Sequence, residues 1–336
     1  MAMGSTLPEI GLLLYPGVRT AAVYGMVDLF DAANDIARRR AGDAGIGIRI
    51  SQWKIAEGGG IECVADSHGP APHKPVAIVA LPGLGDLPSH AVSAPFAAWL
   101  RQRHDEGAML CSVCAGAFLL AETGLLTGRL VTTHWSFAQA LSQRFPDILI
   151  DTAKMIVDDG DIITAGGIMA WTDLGLTLVD RVLGQEVMLE TARFLLVDPP
   201  GREQRYYSNF TPNLRHGDEA VLKVQRWLQD QEEAVEDMRP VSLAAMADRA
   251  GLEERTFLRR FHKATGLKPT EYFQHIRVSR ARSLLETTNR NVDQIAWSVG
   301  YEDPAAFRKV FAKLMGLSPR DYRRRFGAGP AIGAAA

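Results

Sequence analysis

Cysteine is scarce in this 336-residue chain, which holds only Cys63, Cys111 and Cys114. So small and odd a number excludes a disulfide framework and suits a reducing compartment. Long hydrophobic runs are also missing. The longest nearly uninterrupted apolar stretch, Ala108 to Ala121, falls short of the roughly 20 residues that a membrane span needs. It reads instead as a buried strand leading into a helix, and no membrane association is expected. The opening MAMGSTLPE has neither the basic nor the apolar segment of a secretory signal. Histidine shows no metal-ligand spacing: His68 and His73 sit in a Pro/Gly-rich loop without partner cysteines, and His216 stands alone in a linker. Gly58-Gly59-Gly60 lacks the G-x-G-x-x-G spacing of a dinucleotide site. Neither a metal nor a cofactor is therefore expected. What remains is 47% hydrophobic and 23% charged, a balance that excludes extended disorder and collagen. At roughly 150 residues per domain, the length predicts about two domains.

The formal net charge of −2 is unevenly spread. Residues 239–326 hold 18 Lys/Arg and 9 Asp/Glu, a net +9, leaving −11 on the rest of the chain. A basic module on an acidic body is the electrostatic footprint of nucleic-acid binding, although charge alone does not separate DNA from RNA or an anionic surface.

That basic segment is internally duplicated: VSLAAMADRAGLEERTFLRRFHKATGLKPTEYF matches NVDQIAWSVGYEDPAAFRKVFAKLMGLSPRDYR. At an offset of 49, Leu243, Met246, Ala247 and Gly251 pair with Val292, Ile295, Ala296 and Gly300. At an offset of 50, Phe257, Phe261, Gly266, Pro269 and Tyr272 pair with Phe307, Phe311, Gly316, Pro319 and Tyr322. One extra residue thus lies in the second copy, in the turn after its glycine. Each copy reads as helix, tight turn, helix. Ser242 is placed to cap the first helix, and Gly251 and Gly300 stand where that helix must stop. Asp303-Pro304 is a strong start signal for the second helix of copy two. The Phe257/Phe261 and Phe307/Phe311 pairs, four apart, share the inner face of each second helix.

The outer face then carries the chemistry. In copy one it presents Arg255, Leu258, Arg259 and His262, with Thr256 and Arg260 beside them; in copy two, Ala305, Arg308, Lys309 and Ala312. An arginine on such a helix can pair bidentately with guanine O6 and N7 in the major groove, and a small residue permits close approach. Arg323–Arg325 would add charge toward the DNA backbone.

Residues 218–326 resemble the DNA-binding domain of the AraC/XylS family of bacterial transcription regulators, down to the closing GLSPRDYRRRF. The resemblance implies two helix-turn-helix units joined by a long helix, here Pro269–Thr288. It also implies that both recognition helices face one side of the DNA, about one helical turn or roughly 34 Å apart.

The first two hundred residues alternate apolar strands with helical patterns, which predicts an α/β sandwich with a largely parallel sheet. Strands are expected near Ile10–Tyr15, Ile46–Ile55, Val76–Leu81, Met109–Val113, Leu130–Thr132 and Ile162–Thr164. Helices are expected over Ala21–Ala33, Pro95–Asp105, Ala115–Glu122, Ser136–Arg144, Ala170–Leu183 and Glu186–Val197. Ligands bind such sheets beyond the carboxyl ends of their strands. That points to the loops at Tyr15-Pro16-Gly17, Pro82-Gly83-Leu84-Gly85, Cys114-Ala115-Gly116 and Thr133-His134-Trp135.

The stretch AMLCSVCAGAFLLAETG runs an apolar strand into Cys114, a small pair and a helix. This is the layout of a nucleophile elbow, and a thiol at a helix N-terminus is inclined toward thiolate. His134 follows at the end of the next strand, within range of the same pocket. Cys111 and Cys114 also spell C-x-x-C, but Cys111 falls inside the strand and reads better as a core residue than as a redox partner.

Residues 7–200 resemble the DJ-1/PfpI superfamily, a flavodoxin-like fold with an elbow cysteine, here Cys114, and in many members a nearby histidine, here His134. Two departures argue against catalysis. The family's proteases carry histidine directly after the cysteine, where this chain has Ala115. Many active members hold the thiol with an acid that aligns with Ala22. The resemblance leaves an effector pocket of Tyr15, Gly83, Cys114, Ala115, His134, Trp135 and Trp171, with no catalytic residue. The aromatic members suit a cationic nitrogen, and Trp171 reads slightly better as core than as pocket wall.

The Pro/Gly/Asn-rich stretch over 201–217 reads as a linker, a helix is expected over Glu219–Glu236, and 327–336 as a disordered tail. The two halves together resemble the GlxA type of AraC regulators. The resemblance implies a cytoplasmic, homodimeric, sequence-specific regulator. Its partners would be double-stranded promoter half-sites and a small, often nitrogen-containing effector, with RNA polymerase a further partner compatible with the role. A thiol-dependent hydrolase or hydratase, or a redox sensor using Cys114, with an attached DNA-binding domain, is the alternative.

Overall fold

The computed structural model describes residues 7–42, 46–69, 71–83, 85–233, 238 and 240–327. The chain divides into two compact units, Met1–Gln204 and Arg205–Ala336. The tail expected beyond 327 and the last three positions of the helix expected to reach Glu236 lie outside the described residues.

The first unit contains β1 (Glu9–Leu13), α1 (Thr20–Ala41), β2 (Arg49–Ile55), β3 (Ile61–Asp66), β4 (Pro75–Ala80), α2 (His90–Asp105) and β5 (Met109–Val113). A 3-10 turn at Cys114–Gly116 leads into α3 (Ala117–Ala121), followed by β6 (Leu130–Val131), α4 (Ala138–Arg144), β7 (Leu149–Ile150), β8 (Ile156–Asp158), β9 (Ile162–Ala165), α5 (Trp171–Leu183) and α6 (Gln185–Phe194). Seven strands form one sheet in the order β3-β2-β1-β4-β5-β9-β8. The five central strands run parallel, and β3 and β8 close the edges antiparallel. The strands β4, β5 and β9 at the middle of the sheet are mostly apolar because both faces are covered. Period-two alternation sends Leu12, Val79, Cys111 and Val113 into the cluster shared with α1, α5 and α6. Leu13, Ile78 and Leu110 enter the opposite cluster with Phe96, Phe118 and Leu141 of α2, α3 and α4.

The parallel core follows the sequence expectation, with three differences. The strand expected at Leu130–Thr132 does not join the main sheet. It pairs with β7 (Leu130↔Leu149, Val131↔Ile150) in a small sheet of its own. The edge strands β3 and β8 were not anticipated, because a short, half-exposed strand carries little apolar signal. Finally, α1 continues past Ala33 to Ala41, where Gly42 takes a left-handed φ of 69° and returns its N–H to Arg38 O.

The second unit is helical: α7 (Glu219–Glu233), α8 (Leu243–Ala250), α9 (Glu254–Thr265), α10 (Pro269–Thr287), α11 (Val292–Ser298), α12 (Pro304–Met315) and α13 (Pro319–Phe326). The duplication in sequence is a duplication in structure. Phe257, Phe261, Phe307 and Phe311 are fully buried. Phe261 meets Tyr272 edge-on at 5.3 Å, and Phe311 meets Tyr322 in the same way at 5.5 Å. Ser242 caps α8 through Ala245 N (3.1 Å), and Asp303 caps α12 through Ala305 N (2.8 Å) and Ala306 N (3.2 Å). Residues 205–217, expected as a linker, pack on this unit: Tyr206 is 6% exposed, and Phe210 stacks on His275 at 4.7 Å.

Candidate functional site

The elbow forms where β5 ends. Cys114 adopts a φ of 56°, the left-handed region that side chains rarely take. Its carbonyl accepts from Thr133 Oγ1 at 2.8 Å, which ties the turn to the chain leaving β6. Gly116 is obligatory, because a Cβ there would overlap the backbone carbonyl of Ala80 in β4. The strained geometry is therefore enforced by packing on the neighbouring strand.

The thiol inside this elbow is enclosed. Cys114 and Cys111 are both 0% exposed, and burial pushes each thiol up to about 12. Ala22 is also buried, so a methyl group stands where the resemblance places an acid. Tyr15 is buried and donates its hydroxyl to Leu81 O at 2.7 Å; burial, with Cys114 second, raises its pKa far above the ordinary range. Gly83 bridges Val18 beside it, at a spot where a Cβ would come within 3.0 Å of the Tyr15 hydroxyl. Tyr15, Gly83, Cys114 and Ala115 thus cluster beyond β1, β4 and β5, at the point where the strand order reverses. Leu84 of that loop lies outside the described residues.

The other expected pocket residues are engaged differently. His134 Nδ1 accepts from Ser136 N (3.2 Å) and meets Ser136 Oγ (2.6 Å), so the ring caps a 3-10 turn at Trp135–Phe137. Burial lowers its pKa, which keeps the imidazole neutral at pH 7. Trp135 is half-buried against that ring at 5.2 Å. Trp171 is taken up by helix packing: its ring lies over Gly25 of α1, which has no side chain to obstruct it.

On the second unit, α9 presents Arg255, Leu258 and Arg259 exposed, with Thr256 half-buried; α12 presents Ala305, Arg308 and Lys309, all exposed. Arg255, Arg259 and Lys309 have no ion-pair partner among the described residues. Arg260 departs from the expected stripe. It donates to both carboxylate oxygens of Asp218 (2.9 and 2.6 Å), and the same carboxylate caps α7 at Val221 N. Arg260 holds the Asp218 carboxyl below the usual range. Its guanidinium is therefore committed to anchoring α7. The Arg323–Arg325 cluster divides in a similar way. Arg325 donates to the Tyr207 hydroxyl (2.9 Å) and lies 4.8 Å over the Tyr206 ring, while Arg324 stays exposed in a pair with Asp321.

Two residues that sequence reasoning passed over emerge from the geometry. Gln204 is 2% exposed; its Oε1 accepts from Trp135 N at 2.8 Å and its Nε2 donates to Thr133 O at 3.0 Å. A side chain on Gly166 would overlap it. The last residue of the first unit is thus plugged into the loop that holds Cys114. Asp293, in the first turn of α11, pairs with Arg308 of α12. Neither residue belongs to a local motif, so only the fold reveals them.

Comparison with known proteins follows the same division. The Helix-turn-helix domain family matches residues 246–325, and the DJ-1/PfpI family matches residues 27–181. The chain is 33% identical to the HTH-type transcriptional regulator GlxA of Rhizobium meliloti (strain 1021) over 233 residues, 68% of this chain and 69% of that protein. It is 27% identical to the HTH-type transcriptional regulator CdhR of Pseudomonas aeruginosa over 246 residues, 73% and 68% of the two chains. A crystal structure of an AraC family transcriptional regulator from Pseudomonas putida covers 56% of this chain and 99% of its own, at 17% identity and a TM-score of 0.43.

Proposed function

Because the chain belongs to the GlxA type of AraC-family helix-turn-helix transcriptional regulators, a DJ-1/PfpI-like unit ahead of a DNA-binding unit, we propose that the first unit senses a small metabolite and thereby governs DNA binding by the second. The chain is a DNA-binding transcription regulator. In the reading advanced here, α9 and α12 enter successive major-groove segments on one side of the duplex. Arg255, Thr256, Leu258 and Arg259 read one half-site, and Ala305, Arg308 and Lys309 read the other. The observation that carries this reading is the pair of matched helices whose outward Arg255, Arg259 and Lys309 have no ion-pair partner among the described residues.

The effector pocket is assigned to the crevice of Tyr15, Gly83, Cys114 and Ala115, with His134 and Trp135 at its margin. A cationic nitrogen would be held on the face of the Trp135 ring, which favours a nitrogen-containing metabolite. Binding rather than turnover is supported by a protonated, enclosed thiol, with Ala22 and Ala115 at the positions where the resemblance places acid and base. The effector would act by binding one arrangement of the paired DNA units of a homodimer more tightly than another, in the cytoplasm where promoters are accessible. The test is selection of genomic DNA fragments by the purified full chain at about 150 mM salt, a concentration at which purely electrostatic binding weakens. Half-sites repeated about 10 bp apart are expected; retention that shows no sequence preference would defeat the reading.

A further inference from the structure

The two recognition helices are built alike, yet among the described residues only α12 has an arginine of its outward stripe paired with an acid of the preceding helix. Arg308 of α12 pairs with Asp293 of α11, through Nη2 and Oδ1. The repeat register places Ala244 at the position of Asp293 and Leu258 at that of Arg308. The device therefore exists in the second helix-turn-helix copy alone.

Stability does not account for it. Both side chains are nearly half-exposed, 47% and 43%, and an exposed pair of this kind contributes about 0–1 kcal/mol. The start of α11 is already closed by reciprocal bonds between Asn291 and Gln294 (2.7 and 3.0 Å). Resting on the DNA-binding reading above, we propose that Asp293 is a specificity-determining residue that turns Arg308 from a phosphate contact into a reader of guanine.

Two physical effects lead there. A guanidinium has five N–H donors, and Asp293 engages one, leaving enough for bidentate contact with guanine O6 and N7. The carboxylate also cancels the charge that would draw a free arginine to the nearest phosphate. Because the pair joins two helices, it fixes the long side chain on the outer face of α12 before DNA arrives, so less rotamer freedom is lost on binding. Lys309, the next residue, has no such partner among the described residues and remains free to take a phosphate. Asp293 touches no base in this scheme; it positions the residue that does.

The experiment is selection from random duplexes by the purified full chain, run in parallel for wild type, Arg308→Ala, Asp293→Asn and Asp293→Ala, with salt titrations of affinity on nonspecific DNA. Wild type is expected to enrich two half-sites, and Arg308→Ala to erase a guanine from one of them. Both Asp293 variants should weaken that same guanine at least about fivefold, the lower end of what a bidentate pair discriminates. The other half-site, read by α9, should be retained and thereby reports that the unit is folded. The freed arginine should also tighten nonspecific binding and steepen its salt dependence by about one counterion. A merely structural role for Asp293 would weaken both half-sites together and would not strengthen nonspecific binding. An undiminished guanine in the Asp293 variants, or no guanine lost in Arg308→Ala, overturns the proposal while leaving the regulator reading intact. A wild-type protein that enriches no sequence overturns both.

Discussion

Cys114 sits in the backbone geometry of a nucleophile without the electrostatics of one. With its pKa near 12, the thiolate fraction near neutral pH is more than about a thousandfold below that of an ordinary cysteine, whose pKa is about 8.5. Iodoacetamide should therefore label Cys114 in the native protein at least two orders of magnitude more slowly than a free thiol, roughly in proportion to thiolate; mass spectrometry of timed samples measures this, and a free-thiol rate would restore the catalytic and redox alternatives. The same shift has a consequence for stability. Unfolded cysteines lose their protons near pH 8.5, whereas Cys111 and Cys114 keep theirs to about 12. Between these values the unfolded state holds fewer protons, so stability falls as pH rises, by up to about 1.4 kcal/mol per unit for each thiol. Urea unfolding at pH 8, 9 and 10 under reductant should show that slope, and Cys111→Ala should make it shallower. On the DNA-binding face, Arg259→Ala should cost about 1–3 kcal/mol at the selected site and relax one base position, whereas loss of a phosphate contact would weaken all sequences alike.

Helices of the second unit were legible in the sequence because their chemistry is local. Asp303-Pro304 declares the start of α12, and the structure places both carboxylate oxygens of Asp303 on the first free N–H groups. Asp303→Ala should accordingly cost about 1 kcal/mol by urea unfolding, within the range of measured N-caps. Asp303→Ser should recover most of it, which a loss of charge alone would not allow. Sheet edges were illegible for the opposite reason. The strand at Leu130–Val131 was expected, but its two-residue partner β7, nineteen positions away in register (Leu130↔Leu149), was not, because no periodicity fits so short a strand. Polar residues of the first unit were not singled out in the sequence at all: Arg49 of β2 and Glu9 of β1 are buried, 6% and 2% exposed. Arg49 donates to Asp66 (3.0 Å) and to the carbonyls of Pro72 and Ala71, tying the loop before β4 to the sheet. Removing one partner of such a network strands the other charges, so Arg49→Ala should lose about 3–5 kcal/mol. A replacement that melts like wild type would show that water reaches the cluster.

At the scale of the whole molecule, the decisive stretch is the one that composition marks as a linker. Pro, Gly and Asn over 201–217 suggest slack chain, and nothing local in Gln204 or Tyr206 suggests otherwise. Yet Gln204 is fixed within the first unit by Trp135 N, Thr133 O and its own N–H to Ala153 O (2.8 Å). Tyr206 is fixed within the second, in a core it shares with Val224, Leu228 and Tyr322. Further along, Arg282 donates to Ser208 O and Asn209 Oδ1 (2.5 and 2.7 Å). A single residue, Arg205, separates the two anchors. The expectation concerns protease access, because cleavage needs a segment of chain free to leave its surroundings. Trypsin should cut slowly after Arg205 in the native protein, and Gln204→Ala, which deletes the side-chain bonds of one anchor, should speed that cut at least tenfold while the far-ultraviolet spectrum stays unchanged. Mass spectrometry of timed digests identifies the bond. Rapid cleavage after Arg205 in wild type would mean that the anchors open in solution.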